Sequence, residues 1–153
     1  MAMKGKLQSV MEVKASANKV YQVWKASYDI PKLTAENIHK VEVQQGDWET
    51  TGSIKYWCYT LDGKLEVLKE KTFFDDEKKL VTVIGVDGDP MKLYKVYIGK
   101  FEMKPKDDDD AGGNGCFVTI TVEYEKLNLA SPPAYKYLDF LESVVHDLGE
   151  ALA

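Results

Sequence analysis

Seven segments rich in Val, Ile, Tyr, Phe and Thr, set apart by short turn signals and followed by one long amphipathic helix, leave this chain few architectures. The segments are residues 6–14, 39–45, 53–60, 65–74, 80–86, 93–104 and 115–126. Asp62-Gly63, Asp75-Asp76 and Asp87-Gly88-Asp89-Pro90 stand at their junctions, residue types that reverse a chain tightly. Residues 117–125 alternate, with Val118, Ile120, Val122 and Tyr124 on one side and Thr119, Thr121, Glu123 and Glu125 on the other. Residues 97–104 do likewise, with Phe101 and Met103 inward and Lys100 and Glu102 outward. One dry and one wet face is the pattern of an antiparallel sheet.

Helices are expected at both ends. Ser16 caps a short one over residues 17–25, with Val20, Val23 and Trp24 on one side. A second short piece follows Tyr28, where Pro31 restricts Ile30. The C-terminal helix starts from Ser131 as N-cap and Pro132 at its first position, and runs about twenty residues. Ala134, Leu138, Leu141, Val145, Leu148 and Leu152 form its stripe, widened by Tyr137 and Val144. The order predicts an α+β domain over residues 1–153, with the last helix across the dry face of a curved sheet.

The chain has 153 residues, 44% of them hydrophobic, and a net charge of −5. That length and composition suit one globular unit. The acidic balance repels phosphate backbones, so nucleic acid is not an expected partner. Cys58 and Cys116 lie far apart without metal-ligand or disulfide-framework spacing. No apolar run is long enough to span a bilayer, and the N-terminal residues lack the apolar stretch of a signal peptide. The expectation is a cytoplasmic protein. Residues 107–115 read as a mobile loop tip, because four adjacent aspartates repel one another and the glycines and Asn114 favour a turn.

Candidate catalytic groups are few. His39 and His146 are the only histidines, and no spacing of ligands suggests a metal. Ser143 and His146 share a helix face, but nothing orients the imidazole as a nucleophilic triad requires. The nine tyrosines and three tryptophans are more informative. They either fill a core or line a cavity and lend it hydroxyls, and periodicity alone leaves both open. Two strands also leave their inner face open. Ser53, Lys55, Trp57 and Tyr59 share one face of the third segment; Leu65, Val67, Lys69, Lys71 and Phe73 share one face of the fourth. If Lys69 points inward then Glu70 points outward, and conversely.

The order of elements, the glycine-bounded loop from Gly46 to Gly52 followed by Ser53-Ile54, and the turn Gly88-Asp89 resemble the birch-pollen-allergen superfamily, the Bet v 1-like, pathogenesis-related class-ten proteins. The segments Gly5-Lys6-Leu7, Glu36-Asn37-Ile38, Tyr59 to Lys64, Gly88 to Met91, Leu93-Tyr94-Lys95 and Glu123 to Leu127 are similar to its major latex protein branch. Trp48 and Glu49 stand in the loop where the superfamily usually has small residues. Gly52 is not followed by Lys-Ser/Thr, and Asp47 and Glu49 would repel an anion, so phosphate binding there is not expected.

The resemblance implies a helix-grip fold, in which a curved seven-stranded antiparallel sheet wraps a long C-terminal helix, with two short helices after the first strand and a large cavity between sheet and helix. It implies a ligand site formed by Lys55, Trp57, Tyr59, Val67, Lys69, Val83, Tyr97, Phe101, Val122, Tyr124, Tyr137, Leu141 and Val144, with Lys55 and Lys69 inward. The implied function is carriage or sensing of small apolar or amphipathic plant metabolites in defence or stress, of steroid, flavonoid, hormone or alkaloid class. The alternative is a cofactor-independent isomerase, cyclase or condensing enzyme of specialised metabolism, for which Tyr59, Lys55, Lys69 and Glu70 are the available acids and bases. No cofactor or metal is implied, and the expected state is a monomer or weak dimer. A ribonuclease is disfavoured by the acidic charge and the lack of paired histidines.

Overall fold

The computed structural model describes residues 3–106 and 115–153, so the stretch read as a mobile loop tip falls, at 107–114, outside the described residues. Strand β1 (Lys4–Val13) leads into α1 (Ala17–Ala26) and α2 (Ile30–Leu33). Six strands follow: β2 (Ile38–Gln45), β3 (Ile54–Leu61), β4 (Lys64–Asp75), β5 (Leu80–Gly88), β6 (Tyr94–Pro105) and β7 (Cys116–Lys126). Helix α3 (Tyr135–Ala151) ends the chain. All neighbouring strands are antiparallel, in the order β1-β7-β6-β5-β4-β3-β2. The sheet is open, with β1 and β2 at its edges.

Local chemistry accounts for these boundaries. The Ser16 hydroxyl accepts from the Lys19 N–H at 3.2 Å and starts α1. Ser27 ends it in the left-handed region at φ 69°, its hydroxyl donating to the Trp24 carbonyl at 2.7 Å. Asp62 and Gly63, at φ 53° and 77°, form the two-residue turn between β3 and β4. Gly88, at φ 117°, lies so close to the Val67 carbonyl that a Cβ there would overlap it. The adjoining Asp89 carboxyl accepts from the Val67 N–H at 2.8 Å. A bulge between Lys69 and Glu70 shifts the pairing of β4 with β5, and others interrupt β2–β3 and β6–β7. Such bulges bend and twist a sheet.

Helix α3 begins three residues later than the sequence suggests and spans 17 residues. Pro133 disfavours helical geometry at Pro132, so the helix starts only beyond both prolines. The Pro132 carbonyl instead accepts from the Tyr94 hydroxyl at 2.8 Å. Helix α3 packs chiefly on β1 and β7, burying Tyr137, Leu138, Val144, Val145 and Leu148. Polar contacts fix its outer side: Ser9 Oγ donates to Glu142 Oε2 at 2.7 Å, and Thr34 Oγ1 donates to Asp147 Oδ2 at 2.7 Å.

Candidate functional site

The inner face of the sheet follows from the alternation of each strand. On β3, Lys55, Trp57, Tyr59 and Leu61 are buried and their neighbours are less so. The turn at Asp62-Gly63 pairs Leu61 with Lys64, and this sets Lys55 opposite Glu70, Trp57 opposite Leu68 and Tyr59 opposite Glu66. Directly opposed residues share a face. Glu66, Leu68, Glu70 and Thr72 therefore point inward. Val67 and Lys69 oppose Cys58 and Tyr56 on the outer face, which corrects their expected place in the site. An inward Lys55 and an inward Lys69 are incompatible across a two-residue turn.

Between this face and α3 lies a cavity of about 60 Å³, lined by Trp24, Ile38, Trp57, Tyr59, Leu68, Glu70, Val83, Tyr97, Gly99, Phe101, Tyr137, Phe140 and Leu141. It is much smaller than the expected large cavity and than the roughly 300–1,000 Å³ of pockets for drug-sized ligands. Aromatic rings occupy the space: Trp24 lies against Phe101 with centroids 4.0 Å apart, and Tyr59 against Phe140 at 5.1 Å.

Of the residues expected in the site, Trp57, Tyr59, Val83, Tyr97, Phe101, Tyr137 and Leu141 meet at this cavity. Val122 and Val144 are fully buried in the solid core away from it. Tyr124 is also away from the cavity, its ring covering Gly5 and set edge-on to Tyr94 at 5.3 Å. Trp24, Ile38, Leu68, Gly99 and Phe140 complete the lining without having been singled out as ligand-site residues from the sequence, together with Glu70, which was expected only as an available acid or base. For Leu68 and Glu70 the signal was present in the turn at Asp62-Gly63. Trp24 and Phe140 lie on helices, whose orientation over the sheet no strand periodicity encodes.

Lys55 is buried but does not line the cavity. Its ammonium donates to the Lys25 carbonyl at 3.1 Å and to Ser27 Oγ at 2.9 Å, capping the C-terminus of α1. The Phe74 ring lies 5.3 Å from Nζ and the Trp48 ring 5.8 Å. Burial pushes its pKa down to about 8, against the opposing pull of Glu70 and Glu49.

Two carboxyl groups shape the interior. Glu66 Oε1 accepts from the Tyr59 hydroxyl at 2.9 Å and from the Tyr137 hydroxyl at 3.0 Å, tying β3, β4 and α3 together. Burial raises both phenols well above their ordinary range, and proximity to Glu66 adds to it. Glu70 is the one carboxyl among the residues lining the cavity. Burial pushes its pKa up to about 7, with Trp57 and Lys55 pulling the other way. The Trp57 Nε1–H is buried without a partner at hydrogen-bonding geometry among the described residues. A carboxyl poised near neutrality in an apolar enclosure can hold or release a proton, or bind a polar group. His39 and His146 are exposed and do not line this cavity, and no group of His, Cys, Asp and Glu among the described residues is arranged to hold a metal.

The same architecture recurs in known proteins. The chain is 34% identical over 148 residues to major latex protein 146 of Papaver somniferum, covering 97% of this chain and 91% of that one. It is 36% identical over 151 residues to MLP-like protein 329 of Arabidopsis thaliana, covering 98% and 97%. The crystal structure of major latex-like protein 151 from Panax ginseng superposes with a TM-score of 0.91 at 27% identity, over 99% of both chains. The model of the pathogenesis-related protein Bet v 1 family matches residues 2–153, and the chain belongs to that family.

Proposed function

We propose that the protein binds small apolar or amphipathic metabolites in the cavity between its sheet and α3, as a carrier or sensor in defence or stress. Steroid, flavonoid, hormone and alkaloid classes are the candidates. The observation that carries this reading is an aromatic-lined cavity with one carboxyl in its wall. A folded core has no need of such a group, since burying Glu70 costs stability. Its place in the cavity wall suits it as a contact for a ligand. At about 60 Å³ the cavity holds only a few waters, so a metabolite enters by displacing side chains and moving α3. Half-buried Phe140 and Leu141 are placed to yield first.

Trp24 and Trp57 both line the cavity, so titration with an apolar dye should quench or shift the indole emission saturably. Trp57→Phe should remove a large part of that response. The absence of any saturable response in the wild-type protein would defeat the reading.

The state of Glu70 supports a second reading. A carboxyl with a pKa near 7 can exchange a proton with a trapped substrate, as a cofactor-independent isomerase or cyclase requires. Incubation with a crude plant metabolite extract separates the two readings. Unchanged compounds recovered bound to the protein support a carrier, and new isomers formed over many turnovers support an enzyme.

A further inference from the structure

Two polar groups on adjacent strands line the cavity, and the indole N–H of one is turned toward the carboxyl of the other without reaching hydrogen-bonding geometry. Trp57, 7% exposed, lines it from β3, and its Nε1–H has no partner at bonding geometry among the described residues. Glu70, 5% exposed, lines it from β4. Its cross-strand neighbour Lys55 is committed to the Lys25 carbonyl and Ser27 Oγ at the end of α1. A buried indole N–H without a well-formed bond, beside a desolvated carboxyl, is costly. The cost is relieved by a group that accepts from the indole and donates to the carboxyl.

The chemistry of that group is restricted. A hydrocarbon meets neither demand. An ether accepts from Trp57 and offers Glu70 nothing, whereas an ammonium group does the reverse. An anion would be repelled by Glu70 and, behind it, by Glu66. A hydroxyl is both donor and acceptor at a single oxygen. The rest of the lining (Trp24, Leu68, Val83, Phe101) offers apolar surface to the body of the molecule.

We infer that the cavity selects apolar molecules bearing a hydroxyl, an alcohol or a phenol, whose oxygen lies between Trp57 Nε1 and the Glu70 carboxyl. This rests on the ligand-binding reading above and narrows it to one class. The bond is strongest to the ionised carboxyl. Burial sets the ionisation of Glu70, opposed by Trp57 and Lys55 from β3, and Tyr97 from β6 faces it with a phenol that stays neutral; Glu66 lies further along β4 with Tyr59 and Tyr137 held on it. Across β5 the partner of Glu70 is Gly85, which brings no side chain, and α1 contributes only the Trp24 ring. Affinity for a hydroxylated ligand therefore rises as pH passes upward through about 7.

The test is calorimetric titration of the full chain with naphthalene, 2-methoxynaphthalene and 2-naphthol at pH 6 and pH 8. The expected result is that 2-naphthol binds at least about tenfold more tightly than the methyl ether, with the wider gap at pH 8. In Glu70→Gln and in Trp57→Phe the gap should shrink several-fold and, in Glu70→Gln, lose its pH dependence. Equal affinity of wild type for all three compounds would overturn the hydroxyl site while leaving the cavity as a binding site. A gap unchanged in both variants would overturn the assignment to these two residues. So would a wild-type gap that is the same at both pH values, a measurement that needs no variant to fold. If none of the three compounds binds, the cavity is not a ligand site and this inference falls with it.

Discussion

Glu70 and Lys55 are opposed across β3 and β4, and burial moves each toward neutrality, so their effects on stability run through different pH windows. Glu70 rises from an ordinary 4.5 to about 7. Between those values the folded protein keeps a proton that the unfolded chain has lost. Stability therefore falls as pH rises through that window, and the penalty is complete above 7. Glu70→Gln removes it. Urea denaturation at pH 5 and pH 8 should show wild type losing up to about 3 kcal/mol relative to the variant, and parallel behaviour would mean that the carboxyl is not desolvated. Lys55 falls from 10.5 to about 8, so from pH 8 to 10.5 the unfolded chain holds the extra proton and stability from this residue rises with pH. Lys55→Met abolishes that rise and leaves the Lys25 carbonyl and Ser27 Oγ without its donors. Urea midpoints measured from pH 8 to pH 10.5 should rise in wild type and stay level in the variant.

At the level of elements, the strands and their order were legible from the residues, because alternation and turn chemistry act locally. The face of β4 was legible too, though only by combining two local signals. A two-residue turn at Asp62-Gly63 pairs odd-numbered positions of β3 with even-numbered positions of β4. Fixing Trp57 inward thereby fixes Leu68 and Glu70 inward, whereas the alternation of β4 alone leaves its face open and the family resemblance had turned Lys69 inward. The start of α3 was less legible. Ser131-Pro132 is a fair helix signal until Pro133 restricts it, and the gain from docking Tyr94 on the Pro132 carbonyl appears only in three dimensions. The size of the cavity was not legible at all, since it depends on how closely Phe140 and Leu141 of α3 approach the sheet. Those same positions give a contrast along one helix. Leu148 is fully buried, whereas Leu141 is half-buried at the cavity wall. Leu148→Ala should fall toward the upper part of the roughly 2–5 kcal/mol range for core leucines, and Leu141→Ala below it. Leu141→Ala should also change affinity for apolar ligands, and equal stability losses with unchanged affinity would indicate a uniformly packed helix.

For the molecule as a whole, the difference between a cavity of about 60 Å³ and any metabolite requires a part that moves. The two halves of α3 are held differently. Its C-terminal half lies so close to β1 that a Cβ on Gly149 would come within 2.7 Å of Val13 Cβ, and Asp147 accepts from Thr34 and Asn37. Its N-terminal half is held over the cavity by the Tyr137 hydroxyl on Glu66 and by an exposed Lys136–Asp62 ion pair at 3.2 Å, a contact of small value in water. Outside that hydroxyl a groove of about 190 Å³ runs between the β3–β4 turn, the start of β6 and the prolines before α3. Tyr137 lines both spaces, so it stands as the partition between them. Tyr137→Phe keeps the ring and removes the hydroxyl. It should cost about 1 kcal/mol of stability and speed the association of an apolar dye several-fold in stopped-flow fluorescence. Asn37→Ala, which removes contacts to Ser143 and Asp147 in the middle and C-terminal half of the helix, should leave that rate unchanged. Equal acceleration by both variants, or by neither, would place the moving part elsewhere than the first turns of α3.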